Sequence, residues 1–266
     1  MSVPYVTCAP TEKDVKKLIL LMSVFGDGSG QERDSSGTRA GWKDLERVIS
    51  ELLGGSTLEK KQVFDVIVDQ TLTGGNKYGI SLKTKCLGTE SKIQNLQTNG
   101  RVYMELTNSP AKLWAPLKAM GIHESDFGIK NDQEIGNSIL HTVHNWYLSY
   151  CLTFNIELKN SVHITISYGE GKKGSRLYQA HSFPLGFPDG IIWKFKSNKC
   201  LRGYDPAFPD EVLFDWYGLS GGQLKYYPRA STALYSSSVF RLLSPDILTI
   251  TEKSRVYWPQ EWQDLL

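Results

Sequence analysis

An aspartate, a serine and a lysine stand on either side of one predicted turn. Residues 63–68 and 78–83 are rich in β-branched and aromatic side chains, which predicts two strands, and the Thr-Gly-Gly-Asn sequence between them predicts a turn. Pairing that is symmetric about this turn places Asp65 opposite Lys83. Because side chains alternate between the faces of a strand, Ser81 shares a face with Lys83. We therefore expect the three side chains to cluster at one end of a two-stranded ribbon.

This combination of residue types suits metal-dependent hydrolysis of a phosphodiester. A carboxylate such as Asp65 binds Mg²⁺ through hard oxygen ligands. The ion polarises a phosphoryl oxygen and acidifies a water molecule, and a lysine nearby stabilises the developing charge or orients the attacking water. One carboxylate provides too few protein ligands for a metal site, so a second acid is expected close by.

Two glutamates are candidates for the second acid. Residues 42–53 carry apolar side chains at helical spacing, and two glycines end this predicted helix. Glu46 lies at the edge of its apolar stripe and is the acid of this helix best placed to face the sheet. Glu105 lies in a third predicted strand, residues 101–106. If that strand lies beside the second, Glu105 can reach Asp65.

The remaining pattern predicts an α/β (α+β) fold with a mixed central sheet flanked by helices. A long helix is predicted over residues 132–150, and the last 60 residues contain no predicted element. We expect one domain over residues 1–266, with an α/β core at about 26–150 and a β-rich C-terminal half at about 151–266. Four strands are predicted after the long helix, at residues 152–158, 162–168, 176–182 and 191–196. The aromatic residues of this half are predicted to form core and subunit interface: Trp193, Trp216, Tyr217, Tyr226, Tyr227 and Trp258.

The amino-acid composition excludes several classes of protein. The chain has 266 residues with 40% hydrophobic and 22% charged residues, which excludes disordered, collagen-like and coiled-coil proteins. It lacks the run of roughly 18 apolar residues that a membrane span needs, so no membrane partner is expected. The apolar run 18–22 predicts a short helix capped by Thr11 and Asp14 rather than a secretory leader, so a cytoplasmic location is expected. Four widely spaced cysteines without a C-x-x-C pattern predict free thiols and no structural zinc site: Cys8, Cys86, Cys151 and Cys200.

Basic residues are concentrated in one stretch of a nearly neutral chain. The whole chain has 30 Lys and Arg against 28 Asp and Glu, a net charge of +2. Residues 172–202 carry seven basic residues and one acid, a net charge of +6. A local positive field of this kind is what a polyanion needs, and a solvated rim of strands and turns is the alternative.

The predicted hairpin resembles a known nuclease core. An aspartate in a hydrophobic strand, a turn and a strand ending in x-x-Lys is the arrangement written PD-(D/E)-x-K. Phe64-Asp65 with Ile80-Ser81-Leu82-Lys83 is similar to the variant found in some type II restriction endonucleases, which have serine in place of the second acid and recruit a glutamate from elsewhere. The resemblance covers residues 26–115. Phe64 replaces the proline, and Ser81 replaces the acid.

The resemblance implies a Mg²⁺-dependent homodimer that cuts both strands of a short double-stranded DNA sequence. The implied catalytic residues are Asp65, Ser81, Lys83, Glu105 and Glu46, with Asp65 and Glu105 as metal ligands. The β-rich half would contact DNA and form the dimer. Base recognition needs Arg for guanine and Asn or Gln for adenine, and two polar loops, residues 31–39 and 223–229, offer such groups. The candidate DNA-binding residues are Gln31, Arg33, Arg39, Lys172, Lys173, Gln223, Lys225 and Arg229.

Two other classes of function fit the same sequence. One is a non-catalytic binding module, either for DNA or, through the aromatic residues of the second half, for carbohydrate. The other is a non-restriction nuclease on the same core. A binding module is favoured if the cluster around Asp65 does not bind a divalent metal. A non-restriction nuclease is favoured if DNA is cleaved without fixed fragment ends.

Overall fold

The computed structural model describes residues 2–34, 37–57, 63–263 and 265. The helices are α1 (Glu12–Ser23), α2 (Trp42–Leu53), α3 (Glu90–Gln94), α4 (Leu96–Asn99), α5 (Pro110–Ala119), α6 (Asp132–Phe154), α7 (Ile250–Tyr257) and α8 (Pro259–Gln263). The strands are β1 (Glu32–Asp34), β2 (Gly37–Arg39), β3 (Ser56–Thr57), β4 (Val66–Asp69), β5 (Lys77–Thr89), β6 (Met104–Thr107), β7 (Val162–Glu170), β8 (Arg176–Pro184), β9 (Ile192–Ser197), β10 (Cys200–Asp205), β11 (Phe208–Trp216), β12 (Leu224–Tyr226) and β13 (Tyr235–Ser236).

A six-stranded mixed sheet lies between helices. Its strand order is β13-β8-β7-β5-β4-β3, with β5 and β7 parallel and the other neighbours antiparallel. On one face Val66 and Ile80 are buried against α1 and α2. On the other face Ile67 belongs to a core that includes Tyr147 of α6. The predicted α/β fold with a central sheet flanked by helices is confirmed.

A second, five-stranded sheet completes the core. Its order is β6-β12-β11-β10-β9, and all its neighbours are antiparallel. Trp193, Phe214 and Trp216 are buried against residues of α5 and α6. Burial of these aromatic side chains agrees with their prediction as core, whereas Trp258 is 55% exposed. Both sheets combine strands from before and after α6.

The ends of α1 and α2 follow from local sequence. The Thr11 hydroxyl accepts from the Asp14 amide, and the Asp14 carboxylate accepts from the Thr11 amide, which confirms the predicted cap. In α2 the Asp44 carboxylate accepts from the Gly41 amide at 3.0 Å. Gly54 then ends α2 in the left-handed region at φ +65°, where a residue without Cβ is favoured.

The strand predicted over residues 152–158 is wrong. Helix α6 continues to Phe154 and ends where Asn155 adopts the left-handed conformation. The Phe154 and Tyr150 rings lie one helical turn apart with centroids at 4.5 Å, so this aromatic pattern suits a helix as well as a strand. The other three predicted strands correspond to β7, β8 and β9, while β10 and β11 occupy a region where no strand was predicted.

The predicted register of the hairpin is also wrong, by two residues. Val66 pairs with Ile80, and Asp69 pairs with Lys77 rather than with Gly79. The connection includes a 3₁₀ turn at residues 71–73 and is closed by the Gln70 amide donating to the Asn76 carbonyl at 3.1 Å. The centre of the hairpin therefore falls earlier in the chain than the glycine pair suggests.

Two further predictions concern the thiols and the membrane. All four cysteines are free, as predicted. Among the helices in the described ranges, none combines the length and the apolar character that a bilayer crossing requires.

Close packing of α6 on the second sheet gives a first testable prediction. A Cβ added at Gly136 would lie 2.1 Å from the Trp193 ring. Gly136→Ala should therefore lower the free energy of unfolding in urea by about 1–3 kcal/mol, because overpacking outweighs the gain in helix propensity. Gly186→Ala is the matched control, since an added Cβ there meets open space. A Gly136→Ala protein as stable as the control would contradict this packing.

Candidate active site

Asp65 is fixed to the neighbouring strand by its backbone and its side chain. Its amide donates to the Ile80 carbonyl at 2.9 Å, and its Oδ2 accepts from the Leu82 amide at 2.6 Å. The same Oδ2 lies 3.7 Å from Nζ of Lys83. The aspartate and the lysine are thus neighbours despite the shifted register, because a long lysine side chain spans the difference.

Glu46 lies on α2 near this ion pair. Burial raises the pKa of Glu46, and the negative charge of Asp65 raises it further. The positive charges of Lys43, Lys83 and Arg47 act in the opposite direction. A cation placed beside both carboxylates would offset the unfavourable effect of the Asp65 charge on Glu46.

A large cleft contains these three side chains. Its volume is about 1620 Å³. It is lined by residues of α2, by residues 63–65 just before β4, by the middle of β5, by β6, and by residues of α5 and α6. Glu46, Asp65, Lys83 and Glu105 all line it, and Lys43, Arg47 and Lys112 add positive charge to its walls. Four of the five predicted catalytic residues therefore share one cleft.

Glu105 reaches this cleft by a different route from the one predicted. The condition considered for Glu105 was that its strand lies beside the second strand of the hairpin, and this pairing does not occur: β6 pairs with β12 in the other sheet. Glu105 is opposite Lys225 in that pairing. The Tyr103 hydroxyl donates to the Glu105 carboxylate at 3.4 Å, and burial together with this carboxylate raises the pKa of Tyr103 to about 12.

Ser81 occupies a different position from the other four residues. It is buried, and it is not among the described residues that line the cleft. Burial raises the pKa of Tyr147, and a hydrogen bond with Ser81 opposes that rise. The serine side chain thus faces the packing of α6 on the sheet rather than the cleft.

The oxygen donors of the cleft suit Mg²⁺ in one of its usual modes of binding. Within the described ranges, no group of three or more His, Cys, Asp or Glu side chains is arranged to hold a metal by itself. Mg²⁺ is commonly bound by one or two carboxylates together with substrate phosphates and water. Asp65 and Glu46 provide two such carboxylates, and Glu105 provides a third in the same cleft.

No protein-family model, curated protein or solved structure matches this chain.

In the first predicted DNA-binding loop, residues 32–34 and 37–39 form the antiparallel strands β1 and β2. Arg39 pairs with Glu32 at 2.5 Å, and its guanidinium lies 4.9 Å from the centre of the Tyr168 ring. Gln31 and Arg33 are exposed. The loop therefore presents polar groups to solvent while Arg39 packs against the sheet.

The other predicted DNA-binding residues are divided between surface and ion-pair positions. Lys172 is exposed, and the side chain of Lys173 lies outside the described residues. Gln223 is half-buried. Nζ of Lys225 lies 4.5 Å from the centre of the Tyr217 ring, next to Glu105.

Arg229 belongs to a network of ion pairs in the second sheet. It pairs with Glu211, which also accepts from Arg101 at 2.7 Å, and Arg101 bonds Asp205 at 2.9 Å. The Arg229 guanidinium also lies 3.5 Å from the centre of the Phe208 ring. These contacts attach Arg229, which follows β12, to β11, and Arg101 connects the same glutamate to Asp205 of β10.

Several residues of the cleft were not predicted as functional. Trp42 belongs to the helix predicted over residues 42–53, and Trp146 and Tyr150 belong to the helix predicted over residues 132–150, and all three line the cleft. The available signal was apolar residues at helical spacing in both predicted helices. Helical spacing alone does not tell whether such a stripe meets a core or an open cleft.

Proposed function

We propose that this protein is a Mg²⁺-dependent endonuclease that hydrolyses phosphodiester bonds of double-stranded DNA at specific sequences, in the manner of a type II restriction enzyme. The observation that carries the proposal is the meeting of Asp65, Lys83 and Glu46 in one cleft with cationic walls. A neutral hydrophobic substrate would form no ionic interactions with these charged side chains. A phosphate backbone interacts with both kinds of charge, with the carboxylates through a bound cation and with the lysines directly.

The roles of the residues follow from their positions. Asp65 and Glu46 would hold Mg²⁺, and Glu105 is the third carboxylate within the cleft. The chemistry supplied by the bound ion is polarisation of a phosphoryl oxygen and acidification of a water molecule. Lys83 would stabilise negative charge that develops on the phosphate and orient the attacking water. The Leu82 amide keeps Asp65 in place while these charges change.

DNA contact and dimer formation complete the proposal. The exposed residues Gln31, Arg33 and Lys172 are available for phosphates or base edges. Lys225 lies opposite Glu105 in the pairing of β12 with β6 and would add positive charge beside the cleft. Two clefts, one for each strand, would cut both strands of a site in one binding event, so the proposed active form is a homodimer.

A digestion experiment tests the proposal directly. The purified protein is incubated with unmethylated phage DNA and Mg²⁺, and the products are separated on a gel. Discrete, reproducible fragments support a restriction enzyme, and mapping their ends gives the sequence. A smear would support a nuclease that cuts DNA without sequence specificity. Intact DNA from several templates, with Mn²⁺ as well as Mg²⁺, would reject the enzyme in favour of a binding module.

Two lysines of β5 provide a matched pair of variants. Lys83 and Lys77 each form an ion pair with an aspartate of the hairpin, and their side chains are 23% and 28% exposed. Lys83→Ala should slow cleavage by about a hundredfold, the loss typical of one stabilising group of a transition state. Lys77→Ala should cleave like the unaltered protein, because Lys77 pairs with Asp69 outside the cleft. Equal rates for the two variants would remove Lys83 from the mechanism.

A further inference from the structure

One wall of the cleft is aromatic. Trp146, Tyr150 and Phe154 follow one another at four-residue spacing on α6, and all three line the cleft. The Tyr150 and Phe154 ring centroids are 4.5 Å apart, and the Phe64 ring meets Tyr150 edge-on at 5.6 Å. Phe154 is 48% exposed. This wall therefore offers ring surface to an occupant of the cleft.

A second aromatic group lies beside the carboxylates. Trp42 is the first residue of α2, is 56% exposed, and lines the cleft one helical turn before Glu46. Nζ of Lys43 lies 5.2 Å from the centre of its ring. An exposed tryptophan with a lysine at its side can hold a base by stacking and the adjoining phosphate by charge.

Double-stranded DNA has few groups that can stack on exposed aromatic rings of this kind. A duplex is bound mostly through phosphates and through base edges in its grooves, by charged and polar groups. The faces of its bases are covered by their neighbours in the stack. Unpaired bases expose those faces, and aromatic side chains bind them with little regard to sequence.

We propose that the cleft binds a DNA strand whose bases are unpaired beside the scissile phosphate, with one base stacked on Trp42 and its neighbours against the α6 wall. The inference rests on the proposed nuclease function and adds the form of the substrate. A perfect duplex would have to open, or extrude bases, before it could be cut. Extrusion is easiest at a mismatch.

Binding in the presence of EDTA tests the stacking separately from cleavage. Fluorescence anisotropy is measured with a labelled single strand and with the same strand in a perfect duplex. The single strand should bind more tightly, and Trp42→Ala should weaken its binding by roughly 5- to 150-fold, the equivalent of one lost stacking contact. Trp42→Phe should restore most of that affinity. Trp258→Ala is the control, because Trp258 is equally exposed, at 55%, and lies after α7.

Cleavage with Mg²⁺ then distinguishes the two proposals. Faster cutting of a duplex with a mismatch at the cut, together with loss of that advantage in Trp42→Ala, is the expected result. Efficient cleavage of perfect duplex that is equal in Trp42→Ala and Trp258→Ala would overturn the inference and leave the nuclease standing. Binding that depends on Trp42 without cleavage of any substrate would reject the nuclease. Single-strand binding that is equal in the two alanine variants would also overturn the inference.

Discussion

Asp65→Asn is expected to slow Mg²⁺-dependent DNA cleavage by about a hundredfold to a thousandfold, the range seen when one electrostatic contribution to a transition state is removed. Asparagine has nearly the same shape as aspartate but lacks the negative charge. It would therefore bind the cation poorly and leave Lys83, whose Nζ lies 3.7 Å from the present carboxylate, without its counter-ion. Cleavage is measured as the initial rate of fragment formation.

The variant should remain folded, which makes its loss of activity informative. The amide oxygen of an asparagine can accept from the Leu82 amide as the carboxylate does now at 2.6 Å. Asp69→Asn is the control, because Asp69 also pairs with a lysine, Lys77 at 3.0 Å, but does so at the other end of the hairpin. Asp65→Asn protein that produces the same fragments at the rate of this control would remove Asp65 from the site.

The second large effect is on stability at acid pH, and it comes from two buried histidines. His163 is fully buried, and neither of its ring nitrogens has a hydrogen-bond partner among the described residues. Burial, with a smaller contribution from the charge of Lys83, lowers the pKa of His163 to about 3. His181 is buried on the adjacent strand, with one ring nitrogen 3.2 Å from Oε1 of Gln97, and burial lowers its pKa to about 4.

The direction of the pH dependence follows from these values. An unfolded histidine binds a proton as the pH falls through 6.5, whereas the folded His163 and His181 stay neutral until about 3 and 4. Between these limits the unfolded state binds more protons, so stability is lost as the pH falls. Each histidine should remove about 2 kcal/mol from the free energy of unfolding between about pH 7.5 and pH 5.

Urea denaturation across that pH range measures the effect. His163→Gln and His181→Gln should each remove about half of the slope of stability against pH, whatever they do to stability at neutral pH. His123→Gln is the control, because His123 is exposed. A slope that is the same in all three variants would show that the buried histidines are not its cause.

Local patterns predicted the part of the site that is close together in the chain. Asp65 and Lys83 belong to one hairpin, so an error of two residues in register still left them within reach of each other. Glu46 could be assigned to a face of α2 because helical spacing fixes that face. In both cases the short-range geometry of one element, or of two adjacent ones, decides the outcome.

Long-range pairing explains what the sequence did not predict. The partner of β6 is β12, far along the chain, and no periodicity within residues 101–106 indicates which strand it will join. Glu105 therefore reaches the cleft from the second sheet. Arg229 was proposed for DNA binding from its polar loop, but its partner Glu211 lies on a strand that was not predicted.

The pairing of β6 with β12 also sets the order in which the cleft can be completed during synthesis. The hairpin that carries Asp65 and Lys83 can form early, because its strands are adjacent in the chain. Glu105 cannot be held in place until residues 224–226 have left the ribosome, since they supply the hydrogen bonds of its strand. Contacts between such distant segments also slow folding. A nascent chain would thus carry the cleft only in part until most of the protein had been made.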